Sequence, residues 1–587
     1  SKILCFRPIL ESDLSSYAGE LIKICFIHLT QDAQSSIQSL ILSLYSDVPS
    51  SEYRDYVNNE KALLFTSIPA HLRAKSAQTI IDQHEACHGP LIRNRRAFSG
   101  VGWVHPPFNC EVFLSLSDES CLSLFAHYHG FNDTSYEGFL TGGESYVAAE
   151  LRSAAAQTPT RFLELLRSSW SQIPPPFREA ILEGSAENIQ VQRRNRESQE
   201  SKADTLEAFD QGHLASLVLD ELERHPYFWI RHRSAAHALR ICMGEVSNDG
   251  DIERTVFQAL GYAFMHEEQS IFGSNIELLD VGMNSGKGQI AEALTSLAGR
   301  LAEEQKPWPE LLIPTLSLFA ADTECAIRAP LIVRLPHLQH FSPDVGWDLF
   351  DKAMKDATSG LWAVAEACLY HTYHHSFDVV EPWLSELYHK GTGTDLQVWG
   401  RISALAALSA KLDFDQFLNQ LRELNSVDAW TGASAVWSNA KNLRAHTPQC
   451  LSGLELGLRE VEEISKAVAS RALRIFRSTS TTMHISPEFF QLLLSVLENH
   501  KEQYSEIYGI EKWINECAFW DPGLALSHIE AYIGFVRSSS SFIYDHENNL
   551  TQLLRSLFAQ AEELEESDGG EMLRRVVILQ DHLLALD

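Results

Sequence analysis

Positive charge is scarce in this sequence. Across 587 residues, 47 Lys and Arg stand against 78 Asp and Glu, a formal net charge of −31. A surface that acidic repels phosphate backbones and anionic lipid, so neither direct nucleic-acid binding nor a membrane partner is expected, and only a local basic patch is left open. Long apolar runs are missing as well. The longest uncharged ones, such as LLIPTLSLFAA from Leu311 to Ala321, fall well short of the ~20 residues a membrane span needs. Ten cysteines are scattered from Cys5 to Cys517 without a single C-x-x-C pair. That is the usage of buried thiols in a reducing compartment, and a cytoplasmic location is expected. The opening SKILCFRPIL has no Met, no full apolar stretch and no small-residue cleavage site, so a fragment from the tail of a longer protein is expected rather than a signal peptide. There is no G-x-S-x-G elbow and no Gly-rich dinucleotide turn.

What is present is helical periodicity. Apolar residues recur at helical spacing in ALLFTSIPAHLRAKSAQTIIDQ (62–83), AAELRSAAAQTPTRFLELLRSSW (148–170) and TQLLRSLFAQAEELEE (551–566), while strand-like alternation is rare. The exception runs from Phe98 to Leu116, where Gly, Pro and aromatics point to an irregular loop with room for a short strand. Residues 187–204, ENIQVQRRNRESQESKAD, are polar enough to be a linker or an exposed charged helix. These features divide the chain into an N-terminal helical block (1–97), an irregular insert with a helical subdomain (98–186), the polar stretch (187–208) and a helical-repeat array (209–587).

Within the array a basic residue opens an Ala/Leu-rich helix at Arg231, Lys287, Arg328 and Arg401, at intervals of 56, 41 and 73 residues. The last interval holds a further candidate helix from Leu361. Periods near 40 suit helix pairs of the HEAT or TPR kind. Asp322, six residues before Arg328, stands where HEAT-type repeats place an internal ladder. The expected fold is all-α: an α-solenoid of HEAT/TPR-like helix pairs with an irregular loop insert in the N-terminal part, each pair covering the apolar face of its neighbour.

Candidate chemistry is thin. HEACH, with His84, Glu85 and His88, matches the H-E-x-x-H zinc pattern, in which two imidazoles share a helix face and the Glu activates a water. Gly89-Pro90 ends the helix at once and no third ligand follows, so a zinc-dependent hydrolase is the lesser alternative and no metal is expected. HTYHH, with His371, His374 and His375, and the pair His127 and His129, lack neighbouring Cys or carboxylate ligands and suit packing. GMNSGKG (282–288) fails as a phosphate loop because Val281 stands where Gly is needed and Gly288 where Ser or Thr is needed; Asn284 is better placed as a helix cap. SNDGDIERTV fails as a calcium loop, with Val256 at the position of the bidentate Glu. No cofactor is expected in this chain.

Several stretches together resemble the C-terminal helical region of bacterial antiviral STAND NTPases (Avs): GGESYVAAELRSAAAQTPTRFLELL (142–166), IPPPFREAILEG (173–184), GMNSGKGQIAEAL (282–294), DTECAIRAPLIVRLPHL (322–338), LWAVAEACLYHTYHHSFDVVEPWL (361–384) and EMLRRVVILQDHLLAL (571–586). In that family the third stretch usually carries an Asn-Ser/Thr-Val-Arg-Gly segment; Asn284, Ser285 and Gly286 keep part of it and Lys287 stands for the Arg. The resemblance covers residues 60–587 in order. It implies a target-recognition module that binds a folded phage protein, the large terminase subunit or the portal, and so triggers an upstream STAND ATPase and its effector. It implies no catalysis in this chain and designates no contact residue. The alternative is a generic helical-repeat interaction scaffold. In either case Arg231, Trp362, Tyr373 and Arg401 are the first candidates for partner contacts, because aromatic and Arg side chains dominate interface energetics. Metal analysis of the purified chain is expected to find zinc well below one per chain, with no change on His84→Ala; stoichiometric zinc lost in that variant would establish the hydrolase instead.

Overall fold

The computed structural model describes residues 15–44, 54–88, 106–131, 142–198, 210–265, 277–358, 360–499, 509–539, 549–563 and 566–584. Among the described residues there is no β-strand; the chain is α-helix with short 3-10 turns. It divides into two compact units, one of residues 1–109 with 128–147, the other of residues 110–127 with 148–587.

The first unit contains α1 (Ser15–Cys25), α2 (Gln31–Ser43), α3 (Arg54–Thr66) and α4 (Lys75–His88). Ile37 and Ile41 of α2, Leu64 and Phe65 of α3, and Ala77 and Ile81 of α4 lie four residues or one residue apart on their helices. They close with Ile22 and Phe26 into one buried cluster. Gln38 is buried among them, but its amide donates to the Leu72 carbonyl (3.2 Å) and its oxygen accepts from the Ala74 N–H (2.7 Å). The buried polar group is thereby satisfied and ties α2 to the turn before α4.

The second unit opens with α5 (Cys110–Ser115) and α6 (Asp118–Tyr128). Of the stretch expected to be irregular, residues 98–105 lie outside the described residues, 106–109 are non-helical and 110–115 form α5. Helices this short are marginal in water; here Arg161 holds them, donating to the carbonyls of Phe113 and Leu114 (both 3.2 Å) and pairing with Asp118 (3.1 Å). Phe125 stacks on Phe177 (centroids 4.8 Å apart) to bury the apolar side.

A continuous array follows: α7 (Glu144–Gln157), α8 (Pro159–Ser168), α9 (Pro175–Ser198), α10 (Gln211–Arg224), α11 (Pro226–Trp229), α12 (Arg233–Glu245), α13 (Asp249–Ala263), α14 (Leu278–Met283), α15 (Gly286–Glu303), α16 (Leu312–Ala320), α17 (Cys325–Phe341), α18 (Pro343–Met354), α19 (Leu361–Thr372) and α20 (Phe377–Lys390). It continues through α21 (Thr394–Leu408), α22 (Phe414–Leu424), α23 (Val427–Trp437), α24 (Ala440–Ala445), α25 (Thr447–Leu458) and α26 (Glu462–Ala472), then α27 (Pro487–Glu498), α28 (Ile510–Ala518), α29 (Pro522–Ser539), α30 (Asn549–Glu563) and α31 (Glu566–Leu584). The helices fall into two rows. In the first, α12 packs on α15, α15 on α17, α17 on α19, α19 on α21, α21 on α23 and α23 on α26; in the second, α10 packs on α13, α13 on α16 and α16 on α18. This is a helical-repeat stack. The polar stretch from Glu187 to Ser198 is the second half of α9, with Asn188 and Ile189 buried, while 199–209 lie outside the described residues. Local chemistry sets the starts: Asp210, Asn248, Ser285, Asp413, Ser426 and Ser486 each accept a backbone N–H from the first turn of the helix they precede, and Pro159, Pro343 and Pro487 take the first helical position.

Glycines let the first-row helices touch backbone to backbone. A Cβ on Gly400 of α21 would lie 2.2 Å from the Ala429 carbonyl oxygen of α23, and one on Gly432 of α23 would lie 2.2 Å from the Gln397 oxygen of α21. The two glycines face each other across one crossing. Gly282 repeats the device: its Cβ would fall 2.0 Å from the Ala326 oxygen of α17. Pro330, four residues on within the same helix, has no N–H to donate to that carbonyl, which leaves it open to the approach. Gly400→Ala and Gly432→Ala are each expected to lower stability by about 1–3 kcal/mol through overpacking. Gly534→Ala, where the added Cβ meets nothing within 4 Å in α29, is expected to raise it by roughly 0.5–1 kcal/mol. Chemical denaturation of the three variants checks the contrast.

Candidate interaction surface

The residues singled out from sequence separate into framework and surface. Arg328 is buried, donating to the carbonyls of Ala353 and Lys355 (both 2.7 Å) and so fastening α17 to the end of α18. Asp322 does not ladder to Arg328. It pairs at 2.5 Å with Lys287 of the preceding repeat, both side chains largely buried, so the ladder runs between repeats instead of within one. Arg401 grips Glu366 with two nitrogens (2.6 and 2.5 Å), linking α21 to α19. Arg231 is exposed at the turn before α12. Trp362 is buried with its ring edge-on to Trp383 (5.9 Å), and Tyr373 is half-buried, with burial pushing its phenol up from the ordinary value. The exposed ring of that stretch is Tyr370, flanked by exposed His371, His374 and His375. Periodicity alone could not separate the two aromatics, since Trp362 and Tyr370 lie two helical turns apart and differ only in which neighbour covers them.

His84 and Glu85 sit near the end of α4, half-buried and exposed respectively, and the side chain of His88 lies outside the described residues. Among the described residues, no three or more His, Cys, Asp or Glu side chains are grouped to hold a metal ion. The phosphate-loop-like GMNSGKG is a packing element. Ser285, not Asn284, caps α15, accepting from the Gly288 N–H at 2.8 Å. Asn284 closes α14 and accepts from Arg233 (3.0 Å) instead. A Cβ on Gly288 would lie 2.2 Å from the Gly282 oxygen, so the glycine run permits the tight α14–α15 turn. The acidic run at Asp251 is likewise structural: Arg254 joins Asp251, Asp220 and Glu223 at 2.6–2.8 Å.

One concave feature is not announced by any motif in the sequence. Between α9, α12, α15 and α17 lies a groove of about 540 Å³ whose walls carry Arg193, Arg194, Arg240, Arg300 and Arg334 against Glu245 and Glu292. Glu292 is almost fully buried and holds Arg240 (3.1 Å) and Arg334 (2.5 Å) on its two oxygens. Arg300 is fixed by the carbonyls of Met243 (3.1 Å) and Val246 (3.0 Å). Exposed apolar side chains supply a second kind of surface: Phe519 and Trp520, 78% and 65% exposed, form the turn between α28 and α29. The signal for these was available as a Phe-Trp-Asp-Pro turn; the signal for the groove was not, because its arginines come from residues far apart in sequence.

Close to the α8–α10 contact, Glu221 is fully buried, with the Arg167 guanidinium 3.7 Å from its carboxylate. Burial pushes its carboxyl up to about 7, and Arg167 only partly opposes this. Among the described residues no helix is long and apolar enough to cross a membrane. No protein-family model matches the chain, and no curated protein matches it.

A carboxyl raised in the folded state adds stability that is complete below its unfolded value and is lost as pH rises through the folded one. Glu221→Gln is therefore expected to match the parent near pH 5 and to exceed it progressively toward pH 8, by about 2 kcal/mol at the upper end. His528, whose buried imidazole is held down to about 4, is common to both proteins and cancels from the comparison. Thermal melting across that pH range tests this; a gap that does not widen with pH would place the charged carboxylate in a better-solvated site.

Proposed function

We propose that this chain is a target-recognition scaffold that works without catalysis of its own, binding a folded protein along its helical stack. The observation that carries the reading is the unbroken succession of first-row helices from α12 to α26, each packed on the next. Such a stack offers an extended surface whose contacts are spread over many repeats, so a whole domain can be matched by shape. Exposed Phe519 and Trp520 and the arginine-lined groove give that surface the aromatic and guanidinium groups in which binding energy concentrates.

The finer reading is that the partner is a phage packaging protein, the large terminase subunit first and the portal second, and that its binding triggers a STAND ATPase joined to this chain. Its support is the ordered set of stretches resembling the Avs sensor region. They fall on α7–α8, the first half of α9, α14–α15, α17, α19–α20 and α31, among which α15, α17 and α19 belong to the first row. The resemblance therefore lies on helices, while the loops between them are free to differ.

Immobilised chain offered purified terminase and portal subunits is expected to retain one of them, and Phe519→Ser with Trp520→Ser to weaken retention about tenfold or more. Retention of neither removes the phage reading; retention unaffected by this pair moves the contact surface elsewhere on the stack.

A further inference from the structure

We propose that the groove between α9, α12, α15 and α17 is a binding site for a compact polyanion, a small molecule carrying several phosphate groups in a row. This inference goes beyond recognition of a folded partner and does not depend on it.

The first support is charge. In a chain of net charge −31, five guanidinium groups and two carboxylates line one depression. All five cations are Arg and none is Lys. A guanidinium presents its N–H donors as a planar fork that matches two oxygens of one phosphate, whereas an ammonium is a point charge. The second support is placement. Arg193 and Arg194 come from α9, Arg240 from α12, Arg300 from α15 and Arg334 from α17, so four helices packed one on the next each bring cations to the same volume. That volume, about 540 Å³, falls in the range of small-molecule sites, roughly 300–1,000 Å³. The third is preorganisation. Buried Glu292 holds Arg240 and Arg334 at once, and backbone carbonyls hold Arg300. Side chains already fixed lose less freedom when a ligand binds.

The same features choose among anions. Arg193 already meets Glu245, Arg300 meets Glu304, and Arg240 and Arg334 share Glu292, so a lone carboxylate would add only one or two contacts. A linear polyphosphate concentrates several charges within the span of the groove. A nucleic-acid strand must leave the groove at both ends and meet a surface dominated by Asp and Glu, where its phosphates are repelled.

Calorimetric titration of the full chain tests the assignment, with sodium tripolyphosphate and ATP as phosphate probes and citrate and a short oligothymidylate as comparisons. Tripolyphosphate and ATP are expected to bind saturably, one per chain, with citrate and the oligonucleotide weaker by about tenfold or more. The double variant Arg194→Gln, Arg334→Gln changes one exposed and one half-exposed side chain. Loss of Arg334 takes a partner from buried Glu292 and should lower the melting temperature, whereas Arg194→Gln alone should keep it. Both should weaken tripolyphosphate binding, the double variant by about tenfold or more, while Arg422→Gln, on α22, leaves affinity unchanged. The absence of saturable binding, or affinity that the double variant leaves intact, overturns the proposal. Tighter binding of the oligonucleotide than of tripolyphosphate overturns it in favour of a strand track. None of these outcomes bears on retention of a folded partner, so the two readings fail separately.

Discussion

Everything in the helical stack depends on how closely its first-row helices can approach. Where α21 crosses α23, and where α14 meets α17, a carbonyl oxygen of one helix occupies the place a Cβ of the other would need. Backbones that close bury nearly all of the side chains beside them, and Trp430 and Trp437 on α23 are fully buried as a result. The burial of an aromatic side chain contributes on the order of 2–3 kcal/mol. A crossing widened by one methyl group loosens several such contacts together, because cores packed to crystal-like density have little room to relax.

Close packing also decides where charge can go. An acidic chain has many carboxylates and few cations, and the structure places a large share of its arginines between repeats rather than on open surface. Arg401 with Glu366, Lys287 with Asp322, and Arg240 and Arg334 with Glu292 each bridge neighbouring repeats. Partial burial makes such bridges more selective than their exposed counterparts, since a wrong register would strand a charge away from both water and partner. The groove follows from the same placement: arginines from four helices converge, and the carboxylates they pair with, Glu245, Glu292 and Glu304, are fewer than they are.

This arrangement divides the molecule's chemistry by location. Conformation and register rest on glycine crossings and inter-repeat pairs inside the stack. The Phe519–Trp520 turn is left uncovered by that packing, and the groove arginines are shared between frame and surface, since Arg240 and Arg334 also hold Glu292. A frame held by glycine crossings can keep them while its loops and rims change.

How much of this was legible before the fold is a matter of range. Helical spacing of Leu, Ile and Ala and its recurrence along the chain are local or summed properties, and they sufficed to establish an all-α repeat protein. The same local view placed a cap at Asn284 and a ladder from Asp322 to Arg328. Asn284 does cap a helix, but it closes α14 while Ser285 opens α15, and Asp322 pairs with Lys287, because these contacts are settled by a turn geometry and an adjoining repeat that spacing does not encode. Trp362 and Tyr370 share a helix and a composition; only the packing of α20 beside them buries one and exposes the other. Arg194 and Arg334 are separated by most of the repeat array's first half and carry no common motif. Sequence by itself determined the kind of fold, through interactions between residues three and four apart. Tertiary structure decided the surface chemistry, because a site made of cations from four helices exists only where the stacking of those helices brings their faces into one groove.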